Sequence, residues 1–197
     1  MRDVVLVDGG GTNIGSVRFA LERLGVAAEL TRDARRIAAA THIILPGVGA
    51  AGPGMARLRE AGLVDVLRNA TQPLLGVCLG MQLLYDHSEE GDTECLGVLP
   101  GRVRKIEPRS GLRVPHMGWN RLNRRRDDAL IAGLHADAHA YFVHSYAAPV
   151  TADTLAASDH AGEFASVVRR ANRCGMQFHP ERSAAVGARL LANFLAL

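Results

Sequence analysis

The sequence predicts an α/β fold: an open, mainly parallel, twisted sheet with helices on both faces and an antiparallel extension, in a single domain spanning residues 1–197. Three observations predict it. Short apolar runs alternate with segments of helical periodicity through the first half of the chain, as in parallel strands joined by right-handed crossovers. One of those runs ends at a cysteine with glycine two residues away on either side, the pattern of a sharp strand-to-helix turn. From about Leu96 to Val168 the helical period gives way to a strand-rich, irregular pattern, expected to extend the domain with antiparallel strands.

The elements follow in order. Val4 to Val7 reads as a buried strand, and Ile14, Val17, Leu21 and Leu24 then mark one helix face. Ala28 to Leu30 is a weaker strand and Ile43 to Leu45 a stronger one. Met55 to Leu67 carries a helix that Gly62 is expected to break in two. Leu74 to Val77 is the strand that enters the cysteine turn. Near the end, Cys174 to Phe178 reads as a short strand, and Val186, Leu190, Leu191, Phe194 and Leu195 form the apolar face of a closing helix. No repeat, low-complexity tract or linker divides the chain.

The segment Gly76-Val77-Cys78-Leu79-Gly80 is the nucleophile-elbow pattern with sulfur in place of oxygen. A turn this sharp brings its flanking positions into collision, so both must lack a side chain. It would hold the thiol outside the sheet at a helix N-terminus, where the thiolate is favoured. A buried structural cysteine between a core strand and a core helix is the competing reading, and the paired glycines weigh against it. About a hundred residues downstream, His179-Pro180-Glu181 supplies a base and an acceptor to orient it, with Pro180 stiffening the turn. Alone, that tripeptide reads as a surface turn. With the elbow, Cys78, His179 and Glu181 make a nucleophile, a base and an orienter.

Other segments are read more openly. Pro46-Gly47-Val48-Gly49 follows a buried strand where ligands bind in open α/β sheets, and is read equally as a tight turn or as a backbone donor to an oxyanion. Gln82 lies one turn beyond Cys78 on the same helix face, within reach of a substrate's amino-acid end. Trp119 and Tyr141 suit either a core or a protein interface. Asp8 to Asn13 fits neither phosphate-loop template. Cys95, Cys174 and the remaining histidines (His42, His87, His116, His135, His139, His144 and His160) lack metal-ligand spacing, so no metal and no cofactor are expected.

Composition excludes several classes. Of 197 residues, 48% are apolar and 22% charged, ordinary for a globular protein with a sizeable core. A strand-like run begins at Val4, so no signal peptide is expected, and no apolar run reaches bilayer length. Three cysteines argue against a disulfide framework and for a reducing cytoplasm. The net charge of +3 and the basic run Arg121 to Arg126 are offset by Asp127, Asp128 and scarce aromatics. Nucleic acid is therefore not expected, and that run is read as a solvated loop.

Taken together, the chain resembles the class I, triad-type glutamine amidotransferases, which have a flavodoxin-like fold. Among them it resembles the glutaminase subunits of imidazole glycerol phosphate synthase. The resemblance is carried by Val7-Asp8 with Asn13, Leu45 to Gly49, Gly76 to Leu84, Pro115-His116-Met117-Gly118-Trp119-Asn120, Tyr141-Phe142-Val143-His144-Ser145-Tyr146 and Gln177 to Ser183. It implies hydrolysis of L-glutamine in the cytoplasm, with ammonia passed to a (β/α)8-barrel cyclase in a heterodimer. It also implies an oxyanion hole from Val48, Gly49 and the Leu79 amide, made competent by the partner. Glutamine binding would fall to Gly49, Gln82 and the Ser145-Tyr146 backbone, and partner contacts to Asn13, Trp119, Tyr141 and Arg182.

Three competitors are weaker. The glutaminase of pyridoxal phosphate synthase is expected to carry Gly-Gly-Glu-Ser in place of Pro46 to Gly49. A cysteine peptidase or deglycase-like hydrolase on the same fold would lack the His-Pro-Glu pairing. A non-catalytic subunit would lack a triad residue, and here none is missing.

Overall fold

A strand buried at nearly every residue is covered on both faces, and four such strands lie side by side at the centre of the molecule. The computed structural model describes residues 2–9 and 14–197. Asn13 therefore lies outside the described residues. The first half runs β1 (Val4–Val7), α1 (Ile14–Arg23), β2 (Ala28–Thr31), α2 (Ala34–Ala39), β3 (His42–Gly47), α3 (Ala51–Glu60), α4 (Val64–Arg68), β4 (Leu74–Cys78) and α5 (Leu79–Gln82). β5 (Tyr85–Ser88), β6 (Thr93–Glu94), β7 (Leu99–Lys105), β8 (His116–Arg121), β9 (Asn123–Arg124), β10 (His139–His144) and β11 (Tyr146–Ala147) follow. β12 (Thr154–Asp159), β13 (Glu163–Arg170), β14 (Arg173–Met176) and α6 (Ala184–Leu195) close the chain.

The main sheet has eight strands in the order β2-β1-β3-β4-β14-β13-β12-β9. Pairings from β2 across to β14 are parallel, and those beyond β14 are antiparallel. Strand alternation separates two cores. Val4 and Leu6 point toward Val17 and Leu21 of α1 and Leu190 and Phe194 of α6. Val5 and Val7 point the other way, toward Ile37, Met55, Leu58 and Leu67.

Gly62 divides the predicted long helix as expected. It sits at φ +65°, with its amide on Arg59 O and the Leu63 amide on Leu58 O, a Schellman termination that needs the left-handed residue. α2 escapes the sequence pattern because only Ile37 is buried along it. Its definition comes from the Asp33 carboxylate, which accepts from the amides of Arg35 and Arg36.

The expected antiparallel extension is only partly part of the main sheet. β12 and β13 are buried almost throughout and join it, with β9 at the edge. β7, β8 and β10 alternate buried and exposed residues, so they cannot sit inside a sheet covered on both faces. Two smaller sheets result: β11-β7-β5-β6 and the pair β10-β8. The basic run is not a loop either. Leu122 is buried, Arg121 ends β8, and Asn123 and Arg124 form β9. Arg121, Arg124 and Arg125 are matched by acids, with Asp137 at 3.6 Å, Asp127 at 3.0 Å and Glu163 respectively, while Arg126 donates to the Arg169 carbonyl.

Among the described residues, no helix is long and apolar enough to cross a membrane, and no group of three or more His, Cys, Asp or Glu could hold a metal ion.

Candidate active site

β4 delivers Cys78 to the carboxyl edge of the parallel strands and the chain turns there. Cys78 has φ 54° and ψ −113°, a strained conformation for a residue with a side chain. The flanking glycines make that turn possible. A Cβ on Gly76 would stand 2.6 Å from the backbone of Gly80 and Met81, and one on Gly80 would overlap the Leu45 carbonyl oxygen. Gly47 closes in from β3, where its own Cβ would meet Gly80 N at 2.8 Å. The helix beyond the elbow, α5, has only four residues. The helix dipole expected at Cys78 is thus that of a single turn, and other groups must do more to favour the thiolate.

His179 is the main such group. It follows β14, the parallel neighbour of β4, and hydrogen-bonds to Cys78. Its Nδ1 lies 3.0 Å from Glu181 Oε1, a contact in which the Glu181 side chain is 1% exposed. Pro180 opens the short 3-10 turn Pro180–Arg182 that brings Glu181 back. The turn is fastened at both ends: the His179 amide donates to Tyr141 O, and Ser183 Oγ donates to His179 O while accepting the Tyr141 amide. Burial disfavours the charged imidazole. Hydrogen bonds to Cys78 and Glu181 and the attraction of both negative groups outweigh it, raising the His179 pKa well above the usual histidine range. A protonated imidazole held beside the sulfur is the arrangement that activates a cysteine nucleophile.

A cavity of about 340 Å³ opens on the sulfur, lined among others by Val48, Gly49, Leu79, Gln82, Ser145 and Tyr146. Val48, Gly49, Leu79, Ser145 and Tyr146 thus line the same cavity as Cys78. Gly49 has φ +94°, so the turn after β3 needs its freedom. Gln82 is buried, and its amide nitrogen donates to Tyr146 O at 2.9 Å and to Gln177 Oε1 at 3.0 Å. What it can offer a ligand is its carbonyl oxygen.

Gln177 and Glu90 are among the residues at the site that went unassigned from sequence, as are Pro115, Val143 and His144 on the cavity wall. Gln177 points its amide nitrogen at Cys78 Sγ from 3.9 Å. The alternation of β14 into Gln177 was the available signal, since an odd polar residue faces the cysteine between apolar neighbours. Glu90 lines the cavity and accepts the Ala51 amide at 2.8 Å. Nothing in Glu89-Glu90 singles it out, because a loop from another sheet brings it there.

Trp119 and Tyr141 prove not to be ordinary core aromatics. Trp119 is 55% and Met117 63% exposed on β8. The Tyr141 ring meets Trp119 edge-on at 6.0 Å, and the Arg182 guanidinium lies over it at 4.6 Å. Cys95 and Cys174 are buried, and burial pushes their thiols up to about 11 and about 12, in keeping with structural roles.

A model of the class-I glutamine amidotransferases matches residues 5–197. The chain belongs to that family. The imidazole glycerol phosphate synthase subunit HisH of Xanthomonas axonopodis pv. citri is 64% identical to this amidotransferase over 197 residues, covering 100% of the chain and 98% of that protein. The protein of the same name from Xylella fastidiosa (strain Temecula1) is 56% identical over the same span, again covering 100% and 98%. A solved structure described as a glutamine amidotransferase aligns with TM-score 0.75 at 23% identity, covering 98% of this chain and 97% of that one. At that identity it bears on the fold alone.

Proposed function

We propose that this chain is the glutaminase subunit of imidazole glycerol phosphate synthase, acting in the cytoplasm in L-histidine biosynthesis as a single amidotransferase domain. It hydrolyses L-glutamine to L-glutamate and passes the ammonia to a partner subunit. That partner is a (β/α)8-barrel cyclase, which makes imidazole glycerol phosphate and aminoimidazole carboxamide ribotide. The observation that carries the chemistry is Cys78 at a positive-φ elbow, hydrogen-bonded to a histidine that Glu181 orients at 3.0 Å. Support for the synthase comes from relatives that match the whole chain and are named as one of its subunits, so that a partner subunit is implied; that the partner is a cyclase is what the sequence resemblance implies.

The Cys78 thiolate attacks the side-chain amide carbon of glutamine, and the carbonyl electrons move to oxygen. Backbone amides near Val48, Gly49 and Leu79 stabilise that oxyanion. His179 gives its proton to the departing nitrogen, ammonia leaves, and a glutamyl thioester remains on Cys78. Water then attacks the thioester with His179 taking its proton. Glutamate departs and the thiolate returns. Glu181 keeps the imidazole in one tautomer and stabilises its charge. Gln82 and Glu90 present acceptor oxygens suited to the α-ammonium group, while Gly49 and the Ser145-Tyr146 backbone hold the rest of the amino-acid end.

Trp119, Tyr141 and Arg182 form the partner face, together with Met117; Asn13 is assigned to partner contact from the sequence resemblance alone. The decisive experiment is turnover of the two-subunit complex containing Cys78→Ala. Glutamine-dependent product formation should vanish, while ammonium salt at high pH should still support it. Retained glutamine-dependent activity would remove Cys78 from its role.

A further inference from the structure

β8 presents Met117 and Trp119 outward and, by strand alternation, His116 and Asn120 inward. His116 lies directly opposite His144 of β10, and both rings are buried. They belong to a continuous polar chain. Asn120 Nδ2 faces His116 Nε2 at 3.3 Å, His116 Nδ1 faces His144 Nε2 at 2.9 Å, and His144 Nδ1 faces Tyr146 O at 2.8 Å. Tyr146 O also accepts from Gln82, Gln82 donates to Gln177, and Gln177 donates toward Cys78 Sγ.

Both ends of the histidine pair fix the same proton arrangement. A carbonyl only accepts, so His144 Nδ1 must carry hydrogen and its Nε2 must accept. Asn120 cannot turn its amide round, because its nitrogen donates to Asp159 O at 2.9 Å and its oxygen accepts the Arg121 amide at 2.8 Å. His116 Nε2 must therefore accept and its Nδ1 donate. A proton added to either ring would set one donor against another. The His116 ring is also stacked between His160 at 4.2 Å and Phe142 at 5.0 Å, and His160 donates its Nε2 hydrogen to Arg113 O. Burial keeps both imidazoles neutral, lowering His116 to about 4 and His144 to about 3.

We infer that His116 and His144, locked in one tautomer by Asn120, are positioning residues for glutamine: they hold the Tyr146 carbonyl, and through it Gln82 and Gln177, at the wall of the Cys78 cavity. The inference rests on the glutaminase reading above. Neither histidine is asked to touch the reacting atoms. Because the chain starts on the inward face of the strand that carries Trp119, the glutamine site and the proposed partner face share one hydrogen-bonded structure.

The test uses the complex with its cyclase partner at saturation. His116→Phe keeps a stacking ring but removes both nitrogens, whereas His116→Asn retains a donor near the Nδ1 position. His116→Phe should raise KM for glutamine about tenfold or more with kcat within about threefold, the loss of one buried hydrogen-bonding partner. His116→Asn should recover most of that loss, and ammonium-dependent turnover should stay unchanged in both. An unchanged KM in His116→Phe, or an equal loss in His116→Asn, overturns the inference.

Should His116→Phe not fold, the partly exposed Asn120→Ala should still raise KM, and ¹⁵N NMR of the wild-type protein reads the tautomers directly. Both rings must appear as neutral Nδ1–H forms at neutral pH; an Nε2–H form or an imidazolium in either overturns the inference whatever the kinetics. A wild-type complex without glutamine turnover would instead overturn the glutaminase reading, and the inference with it.

Discussion

The elbow around Cys78 and the outer face of the β8–β10 pair lie on either side of the His179 turn and are built by opposite means. At the elbow, backbone packs on backbone: Gly47, Gly76 and Gly80 stand where no Cβ fits. Nothing there can shift without moving β3 or β4. The β8–β10 face is held by one strand pairing and carries large side chains outward, with Met117 and Trp119 more than half exposed and Arg182 resting on Tyr141. The first region has a geometry that chemistry requires. The second has a surface composition that a partner would require, with aromatic and arginine anchors. They meet at Tyr141, whose main chain binds His179 and Ser183 while its ring faces outward.

The comparison breaks if a change in one region has the signature expected of the other. Loss of the base is the largest effect after loss of the nucleophile itself. His179→Ala should lower glutamine-dependent kcat by about 10³-fold or more, and Glu181→Ala by a factor smaller by about one to two orders of magnitude. Neither should change affinity for the partner, measured by titration calorimetry. The same interactions can be read by NMR. The wild-type His179 ring should remain protonated through neutral pH, since its pKa is raised. In Cys78→Ala one hydrogen bond and one charge that raise it are gone, so the titration should move to lower pH. An identical titration in both would mean that Cys78 and His179 do not share a proton.

A methyl group in the elbow acts on stability. Gly80→Ala places a Cβ on the Leu45 carbonyl oxygen, and should cost about 3 kcal/mol or more or prevent folding, as seen by urea unfolding. A near-neutral result would mean the elbow has room that its geometry denies.

Much of this was legible in the sequence, and the division between what was and what was not is physical. The elbow and His179-Pro180-Glu181 are local, so spacing and residue type suffice to specify them. Gly62 was legible because a left-handed helix end leaves few residues to choose from. Glu90, Gln177 and the His116–His144 pair were not recognised, because a loop of another sheet carries the first to the cavity and strand pairing between distant segments sets the others. α2 buries one side chain and shows no period. The Arg121–Arg126 run is solvated as read, apart from Leu122, but it is not a loop: its pairing with β10 and β12 comes from segments distant in the sequence.

Effects on the outer face should be smaller and of a different kind. Trp119→Ala should weaken the complex by about 2 to 4 kcal/mol, with glutamine-dependent kcat recovered at saturating partner. Arg182→Ala should weaken it by about 1 to 3 kcal/mol, depending on how fully the partner desolvates the guanidinium. If either variant binds normally but turns over slowly at saturation, that residue belongs with the catalytic region and the comparison fails there.

The central claim is that Cys78 carries the glutamyl group. Acid-quenching the complex during steady-state turnover of glutamine, followed by peptide mass spectrometry, tests it most directly. The account predicts a γ-glutamyl thioester on the peptide containing Cys78 and none on those containing Cys95 or Cys174. Glutamate release with no adduct on Cys78, in quenches fast enough to sample each turnover, or an adduct on either other cysteine, would contradict it.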